Sequence, residues 1–404
     1  MISPPPLQGP QLRERFDALD SFLLQHQYLW RPAPFTELEL PWETRHPELA
    51  RWLRARSLEE ADAIHNHPER LPAPAPYPQL AERSASLSEV VPLPVARSES
   101  IPTAFTLDVP GRKWEQIEAF ASRLAFRQPP AHWLDWCSGK GHLGRRLAHD
   151  GTPLTCIELD PQLVESGQAL SLRLGLDARH RQQDALADDA IAQIRPEHTP
   201  VALHACGDLH VRLMQLASTL GCRQLAVAPC CYNRIQVPHY QPLSAAAGGS
   251  ALRLSQADLR LPLSETVTAG ARVRRQRDQS MARRLAFDLL QRELTGEDRY
   301  LPVPSLASSW LDKPFARYCR DLCALRQLPA PAERDWQALE TAGWHRLAQV
   351  RNLELPRSLF RRPLELWLLL DRALFLEEQG YQVRLGSFCD VRLTPRNILL
   401  LAER

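Results

Sequence analysis

The fold is decided by the stretch Trp133-Leu134-Asp135-Trp136-Cys137-Ser138-Gly139-Lys140-Gly141-His142-Leu143-Gly144. An apolar strand here runs into an acidic residue and then into a glycine-containing loop that opens a helix. Glycines let the backbone approach a ligand closely, and the helix starting near His142 directs unpaired N–H groups and its positive dipole end at the same space. The stretch therefore predicts a site for a nucleotide-type cofactor within a βαβ unit.

The residues around this loop distinguish between possible cofactors. The pattern Gly139-x-Gly141-x-x-Gly144 matches the dinucleotide fingerprint, which on its own is a weak signal. An ionised Asp135 would repel a pyrophosphate, whereas it would attract the amino-acid ammonium group of S-adenosylmethionine (SAM). We therefore expect Asp135 to bind the methionine ammonium, and the predicted cofactor-binding loop consists of Cys137, Ser138, Gly139, Lys140 and Gly141.

Two further carboxylates follow at the positions that a SAM site requires. The next strand, Leu154 to Ile157, ends in Glu158, about 20 residues after the glycine loop, where a ribose diol is bound in βαβ nucleotide sites. After a predicted helix from about Gln162 to Leu174, Asp184 could accept a hydrogen bond from the adenine amino group. The order acid, glycine loop, acid, acid predicts SAM as the cofactor.

Two more apolar strands end in residues that can carry chemistry. The strand from Val201 to Cys206 and the strand from Gln224 to Ala228 both break where ligands bind in parallel sheets, at their carboxyl ends. The candidate catalytic residues are His204 as a general base and further cofactor contact, Tyr232 as a group that stacks on or orients the substrate, and Cys231 as a nucleophile. The alternative is that His204 is a histidine of the core whose hydrogen bonds are made within the protein, and that the cysteines are small residues that fill apolar space.

Cysteines close several of these strands, which raises the question of a metal or a covalent mechanism. Their spacings differ from those of a zinc module, so no metal is expected. Cysteines after the fourth and fifth predicted strands are similar in place to those of pyrimidine C5-methyltransferases, but the surrounding residues differ from that family's motifs. The residues concerned are Cys137, Cys206, Cys230 and Cys231.

Length and composition indicate a globular chain of several domains. The 404 residues are enough for two or three domains with a large core, and the net charge of +2 gives no bulk attraction to nucleic acid. Apolar spacing, prolines and motifs predict a helical N-terminal domain, a Pro-rich linker, a SAM-binding core, a mostly helical insertion, and a closing helix with two strands. Their predicted limits are 1–66, 67–105, 106–234, 235–360 and 361–404.

Other sequence features bear on location and partners. No apolar run approaches membrane-spanning length, the first residues do not resemble a secretory signal, and the nine cysteines have no disulfide-framework spacing, so we expect a cytoplasmic protein with reduced thiols. A basic cluster precedes the predicted amphipathic helix from Ser280 to Leu290 and could bind phosphates or form a solvated face. It comprises Arg272, Arg274, Arg275 and Arg277.

The end of the chain returns to the predicted sheet. An apolar helix from Leu364 to Glu378 is followed by strands from Tyr381 to Ser387 and from Asn397 to Leu401. The short connection between these strands requires them to be antiparallel. The predicted fold class is therefore α/β, with the Rossmann-like sheet of class I methyltransferases, a terminal antiparallel hairpin, a helical N-terminal domain and a helical insertion.

From about Arg112 onward the chain resembles the group around methyltransferase-like protein 25 and its relative named for an rRNA adenine dimethylase domain. This resemblance implies a SAM-dependent methyltransferase fold. The His-x-Cys-Gly motif and the Cys-Cys pair are also similar to those of eukaryotic tRNA 2′-O-methyltransferases that act on the acceptor stem. Cys137 departs from many methyltransferases, which have a glycine there. The motifs that carry the resemblance are Asp135 to Leu143, Leu203 to Leu209, Cys230-Cys231-Tyr232, Leu370-Asp371-Arg372 and Leu393 to Asn397.

Taken together, these features predict a SAM-dependent methyltransferase whose acceptor is RNA, either tRNA or rRNA. Pro229-Cys230-Cys231-Tyr232 lacks the Asn/Asp-Pro-Pro-aromatic turn of adenine N6-methyltransferases, so that reaction is not supported. The alternatives are a SAM-binding scaffold without catalysis, a methyltransferase acting on protein or a small molecule, and an NAD-dependent oxidoreductase. The sequence leaves the acceptor atom and the oligomeric state open.

Overall fold

The structure is a computed structural model that describes residues 6–96, 101–264 and 270–404. Within these residues, eight strands form one sheet. The strands are β1 (Leu7–Gln8), β2 (His132–Trp136), β3 (Leu154–Glu158), β4 (Ala178–Gln182), β5 (His198–Cys206), β6 (Gln224–Cys230), β7 (Gln382–Ser387) and β8 (Ile398–Glu403).

The sheet has the strand order β1-β7-β8-β6-β5-β2-β3-β4. Strands β2 to β6 pair in parallel, whereas β8 is antiparallel to both β6 and β7, and β1 is antiparallel to β7. The predicted parallel sheet with a terminal antiparallel pair is confirmed. The chain thus has the Rossmann-like fold of class I methyltransferases.

Helices make up most of the remaining described chain. They are α1 (Pro10–Gln25), α2 (Gln27–Trp30), α3 (Pro47–Arg54), α4 (Leu58–Ile64), α5 (Tyr77–Ser88), α6 (Gly111–Ala121), α7 (His142–Leu147), α8 (Pro161–Arg173), α9 (Asp208–Thr219), α10 (Ala245–Gly249), α11 (Ala271–Thr295), α12 (Phe315–Leu325), α13 (Trp336–Ser358) and α14 (Arg361–Glu378). Short 3-10 helices span Pro68–Arg70, Thr103–Thr106, Ala148–Asp150, Asp188–Gln193, Asp258–Ser264 and Ser308–Asp312.

The central strands are apolar along their length because both faces of the sheet are covered. Helices α7, α8 and α9 pack on strands β2 to β6. Helix α8 begins after Asp160, whose carboxylate accepts the Gln162 N–H, with Pro161 in the first turn. These connections place the carboxyl ends of the parallel strands at one edge of the sheet, where each strand gives way to a loop.

The described chain forms two compact units. The first contains the sheet and is formed by the described residues of Met1–Leu24, Leu87–Val267 and Arg362–Arg404. The second is helical and is formed by the described residues of Gln25–Ser86 and Thr268–Arg361. The helical unit thus combines residues from the predicted N-terminal domain with residues from the predicted insertion, although these are far apart in the sequence.

Two helices were predicted from apolar spacing and are confirmed. Helix α1 lies in the predicted helical N-terminal domain and buries Leu12, Phe16, Leu19, Phe22 and Leu23, which are spaced along one face. The amphipathic helix predicted from Ser280 to Leu290 is part of the longer helix α11. Its buried residues, which face the core of the helical unit, are Ala282, Leu285, Ala286, Phe287 and Leu290.

The proline-rich segment differs from the extended structure that its prolines favour. Tyr77–Ser88 form helix α5, and Pro78 lies in its first turn, where a proline removes no helical hydrogen bond. The segment also carries an apolar stripe at helical spacing, which outweighs the nearby prolines. The buried residues of this stripe are Tyr77, Leu80, Ala81, Ser84 and Leu87.

The Leu370-Asp371-Arg372 motif has a structural role in the sheet-containing unit. The buried Asp371 carboxylate accepts the backbone N–H groups of Leu243 (3.0 Å) and Ser244 (2.7 Å). The Arg372 guanidinium donates to His210 Nε2 (2.7 Å) and to the Tyr240 hydroxyl (3.0 Å). Helix α14 therefore fixes the chain that follows β6. Among the helices that the structure describes, none is both long and apolar enough to cross a membrane.

Candidate cofactor and acceptor site

The glycine loop, residues 137–141, connects the end of β2 to the start of α7. The Ser138 N–H donates to the Ile157 carbonyl of β3 (2.9 Å), and the Gly141 N–H donates to the Ser138 carbonyl (2.9 Å). Gly141 has a φ of +73°, and a Cβ there would lie 2.5 Å from His180 Cε1. Gly139 has a φ of +57° and no neighbour within 4 Å of its Cβ position. The loop is therefore closed on the protein side and open above Gly139.

Glu158 lies at the carboxyl end of β3, directly beside this loop. Its Oε2 accepts the Gly139 N–H (2.8 Å), and its Oε1 accepts the N–H groups of Leu159 (2.9 Å) and Asp160 (3.1 Å). The carboxylate is half-buried and is held by three backbone donors. The structure thus brings Glu158 and the glycine loop together, as the ribose assignment requires.

Asp135 is buried beneath the loop rather than exposed above it. Asp135 is 3% exposed, and its Oδ2 accepts the Gly144 N–H of helix α7 (2.8 Å). Burial raises the pKa of Asp135 to about 7, against the lowering effect of this hydrogen bond and of the Lys113 and Arg145 charges. The carboxyl group holds the first turn of α7 and lies under the glycine loop, where its pKa of about 7 leaves it partly protonated at neutral pH.

Cys137 replaces the glycine that many methyltransferases have at this place. Its φ of +58° is in the left-handed region that favours glycine. Burial raises the pKa of the Cys137 thiol to about 12, so the group is neutral at physiological pH. Cys137 therefore shapes the loop through its backbone and is not a nucleophile.

Lys140 and Asp184 are the two predicted cofactor residues with the most solvent around them. Lys140 is half-buried, and its backbone carbonyl accepts a hydrogen bond from the buried Arg145 guanidinium. Asp184 is exposed after β4, and its Oδ1 accepts the Leu186 N–H (2.9 Å). Asp184 lies two strands away from the glycine loop, on the side where Glu158 projects.

His204 lies in an irregular part of β5, where the register with β6 shifts between Leu203 and Cys206. Its Nε2 is 3.0 Å from Gln116 Oε1 of helix α6, and the Gln116 Nε2 donates to the Leu393 carbonyl (3.1 Å). Because Gln116 presents an oxygen to it, Nε2 carries the proton and Nδ1 is the basic nitrogen. Burial, with the Arg396 and Lys113 charges, lowers the pKa of His204 to about 4 and keeps the ring neutral at pH 7.

Tyr232 is not placed as a surface for stacking. The residue is 1% exposed, its ring lies 6.3 Å from the His210 ring in an edge contact, and the Arg372 guanidinium is 5.3 Å from its centroid. Its hydroxyl is buried and has no hydrogen-bond partner among the described residues. The ring and the hydroxyl are thus both enclosed by protein, and Tyr232 presents no surface to a ligand in this structure.

The three cysteines after β5 and β6 lie together, and we call Cys206, Cys230 and Cys231 the cysteine cluster. The Cys206 and Cys230 sulfur atoms are 3.4 Å apart. Hydrogen bonding from the Cys230 thiol lowers the pKa of Cys231, and hydrogen bonding to Cys206 and Cys231 raises that of Cys230. The structure therefore brings Cys231 into a group of thiols that the spacing rules for zinc modules did not indicate.

Two residues of the site were missed in the sequence. Gln116, which fixes the His204 ring, lies on a helix whose apolar pattern says nothing about this contact. Arg145 directly follows the last glycine of the motif, yet it is 3% exposed and donates to His142 Nδ1 (2.7 Å). A buried arginine in the first turns after a glycine loop is a signal that charge patterning could have used.

Comparison with known proteins supports the class that this fold and site define. Residues 112–238, which are less than half of the chain, match a family model described as a methyltransferase domain. This segment contains β2 to β6, the glycine loop, Glu158 and the cysteine cluster. The chain therefore carries a methyltransferase domain, and methyltransferase activity is the function class that the match supports.

Two solved structures are also similar to part of the chain. One comes from a study of the conversion of a disulfide bond into a thioacetal group during echinomycin biosynthesis; it is 20% identical with a TM-score of 0.21, and the match covers 24% of this chain and 43% of that chain. The other is geranyl diphosphate methyltransferase in complex with GPP and sinefungin. It is 13% identical with a TM-score of 0.26, and the match covers 45% of this chain and 64% of that chain. The chain thus spans less than two thirds of either structure, and neither similarity bears on its substrate.

Proposed function

We propose that this protein is a SAM-dependent methyltransferase that binds SAM over the glycine loop. The observation that carries the proposal is the Glu158 carboxylate at the end of β3, next to the open space above Gly139, inside the matched methyltransferase domain. A carboxylate in this position accepts hydrogen bonds from the two hydroxyls of a ribose. Glu158 is already held by backbone donors and needs no reorganisation to receive them.

The other cofactor contacts follow from the order of the strands. The Asp135 charge beneath the loop attracts the methionine ammonium, and the exposed Asp184 after β4 accepts from the adenine amino group. The Ser138, Gly139 and Gly141 N–H groups already donate within the protein, so the proposed cofactor contacts rest on the carboxylates and on the open space above Gly139. Methyl transfer is an in-line displacement at a sulfonium, so the main contribution of the enzyme is to position the two reactants.

The acceptor lies on the side of β5 and β6, beyond the methyl-bearing end of the cofactor. His204 is the candidate base in this region, because Gln116 occupies Nε2 and leaves Nδ1 to take a proton; its lowered pKa of about 4 makes it a weak base. Tyr232 supports this region from within the protein, because its ring is buried against His210 and Arg372. These roles require an acceptor with a nucleophilic atom that reaches the ends of β5 and β6.

RNA is the acceptor that the charge distribution supports. Helix α11 begins with Arg272, Arg274, Arg275 and Arg277, all exposed, and has no acidic residue in its first turn. Positive charges at the positive end of a helix dipole are unfavourable unless an anion binds there. A phosphate backbone provides such anions, and these contacts are independent of the base sequence.

The proposal is tested by ligand binding to the purified protein. We expect SAM and S-adenosylhomocysteine to raise the melting temperature and to bind with measurable heat in titration calorimetry, whereas NAD does neither. Binding of NAD alone would contradict the proposal and support an oxidoreductase. SAM binding without methyl transfer to RNA, protein or small molecules would support a scaffold that binds SAM.

A further inference from the structure

The cysteine cluster has the geometry of a single-ion site. One sulfur atom of each residue, Cys206, Cys230 and Cys231, lies within 4.8 Å of the other two. In a tetrahedral zinc site with Zn–S bonds of about 2.3 Å, the sulfur atoms are about 3.8 Å apart. The Cys206 and Cys230 sulfur atoms are 3.4 Å apart, close to that separation. Only small side-chain adjustments are needed to bring the three thiolates around one ion.

The backbone holds these cysteines in place through contacts that do not involve the thiols. The Gly207 N–H donates to the Cys230 carbonyl (3.2 Å), and the Asp208 N–H donates to the Arg234 carbonyl (3.0 Å). The Asp208 carboxylate in turn accepts the Gln236 N–H (2.8 Å). The loop after β5 is thus bound to the loop after β6 on both sides of the cluster. A site that is ordered in advance loses little freedom on binding an ion.

Backbone strain is concentrated at the same place. Of the five non-glycine residues with positive φ in the described ranges, Cys231 (+47°) belongs to the cluster and His204 (+62°) lies two residues before Cys206. Such conformations cost about 1–3 kcal/mol each and are found mainly at functional sites. The His204 carbonyl, turned by this conformation, accepts from the Cys230 thiol (3.1 Å) and lies 3.7 Å from the Cys206 sulfur. The strain therefore directs the chain so that the thiols converge.

The number and type of ligands favour zinc. Thiolates are soft ligands that select zinc over magnesium or calcium. In the part of the chain that the structure describes, no fourth His, Cys, Asp or Glu side chain joins the group. Structural zinc sites use four protein ligands, whereas sites with three keep the fourth position for water or another exchangeable ligand. The arginines near Cys231, Arg234 and Arg396, supply positive charge that offsets three thiolates.

We propose that Cys206, Cys230 and Cys231 bind one zinc ion, with a fourth coordination position open at the carboxyl ends of β5 and β6. The site lies on the acceptor side of the sheet, so the open position is available to a nucleophilic atom of a bound acceptor. The zinc site does not depend on the choice of cofactor, because it includes none of the residues assigned to SAM.

The test uses the full-length protein without an affinity tag, purified under reducing conditions without chelators. Elemental analysis should find about one zinc ion per chain. Replacement of zinc by cobalt should give the visible and sulfur-to-metal absorption bands of a tetrahedral thiolate site, and a small thiol should shift these bands by occupying the fourth position.

Two variants remove a ligand, and a third serves as the control. Cys206→Ser and Cys231→Asn should each lower the zinc content at least about tenfold. Asparagine tolerates the left-handed backbone at position 231, so this variant removes the thiol without adding strain. Cys389→Ser changes a half-buried cysteine outside the cluster and should keep its zinc. Circular dichroism and the melting temperature show whether each variant is folded.

Several results would overturn the proposal. Wild-type protein that contains no zinc and takes up none on addition would exclude the site, as would zinc retained equally in all three variants. Stoichiometric iron in place of zinc would replace the assignment by a different metal. A disulfide between Cys206 and Cys230 in protein that takes up no metal would instead identify a redox pair.

Discussion

The glycine loop after β2 and the cysteine cluster after β5 and β6 lie at the same edge of the sheet but are built differently. The loop is shaped by its backbone, with glycines at positive φ, N–H groups that donate to the Ile157 and Ser138 carbonyls and to Glu158, and carboxylates at its sides. The cluster is shaped by side chains, with three thiols brought together by a strained and hydrogen-bonded backbone. The first suits a hydroxyl-rich ligand with a positively charged group, and the second suits a soft metal ion.

This difference suggests a division of labour between the two regions. Carboxylates match the ribose hydroxyls, the ammonium group and the adenine amino group of a cofactor. Thiols and a neutral imidazole match the end of the sheet where an acceptor must be held and deprotonated. The four predictions that follow test each side of this division, beginning with the variant expected to have the largest effect.

Gly141→Ala tests whether the backbone alone shapes the glycine loop. The added Cβ would meet His180 Cε1 at 2.5 Å and the Cys156 sulfur at 3.0 Å, at a φ of +73°. We expect the free energy of unfolding to fall by about 2–4 kcal/mol, as measured by urea denaturation. Gly151→Ala is the matched control, because it has a φ of +91° but no neighbour within 4 Å. It should lose only about 1 kcal/mol. Equal losses would show that the contact with His180 is unimportant.

Asp135→Asn tests the buried charge beneath the loop. Because burial raises the pKa of Asp135 to about 7 from 3.8, the folded state binds more protons than the unfolded state between these pH values. The stability of the wild-type protein should therefore fall as the pH rises through this window, by about 2 kcal/mol between pH 5 and pH 8. The variant should lack this dependence. The exposed Asp177→Asn should retain it, and a variant of Asp135 that followed the wild-type curve would contradict the assignment.

Glu158→Gln tests the ribose contact. A carboxamide keeps the size of the side chain but loses the charge that strengthens two hydrogen bonds to a diol, so the affinity for SAM should fall by about tenfold or more. Titration calorimetry measures this change. Glu165→Gln, on the exposed face of α8, is the control with the same chemical substitution and should bind as the wild type does. Unchanged affinity in Glu158→Gln would remove Glu158 from the cofactor site.

Arg272→Gln combined with Arg275→Gln tests the basic start of helix α11 and should have the smallest effect. If these arginines contact phosphates, RNA affinity should fall a few-fold, and the dependence of log affinity on log salt should become shallower by up to about two. Fluorescence anisotropy with labelled tRNA measures both quantities. Arg179→Gln combined with Arg326→Gln removes the same charge from exposed positions elsewhere. If both double variants lose affinity equally, only net charge matters and the α11 cluster is not a binding surface.

The glycine loop and the position of Glu158 beside it could be predicted from the sequence because their signals are local. A strand, an acid, a glycine loop and a helix follow one another within a few residues, and the carboxyl-end rule then places Glu158 beside the loop. The terminal antiparallel pair was predictable for a similar reason, since the short link between β7 and β8 allows only one orientation.

The acceptor half was less accessible because its contacts are long-range. Cys206 meets Cys230 and Cys231 only after two parallel strands align with a register shift, which no spacing in the sequence reveals. Tyr232 follows a strand end and was expected to be open to a substrate, yet its ring is buried by Arg372 from helix α14. Gln116 and the helix at Tyr77–Ser88 were missed because their patterns are set by tertiary packing.

The central claim is that the protein transfers a methyl group from SAM, and it is tested most directly with methyl-labelled SAM. The purified protein is incubated with the label and with total RNA or total protein, and the transferred label is measured in each fraction. The account predicts label in the RNA fraction, with a loss in Glu158→Gln that higher SAM concentrations restore. Absence of label in every fraction, in protein that binds SAM and is fully folded, would contradict the claim.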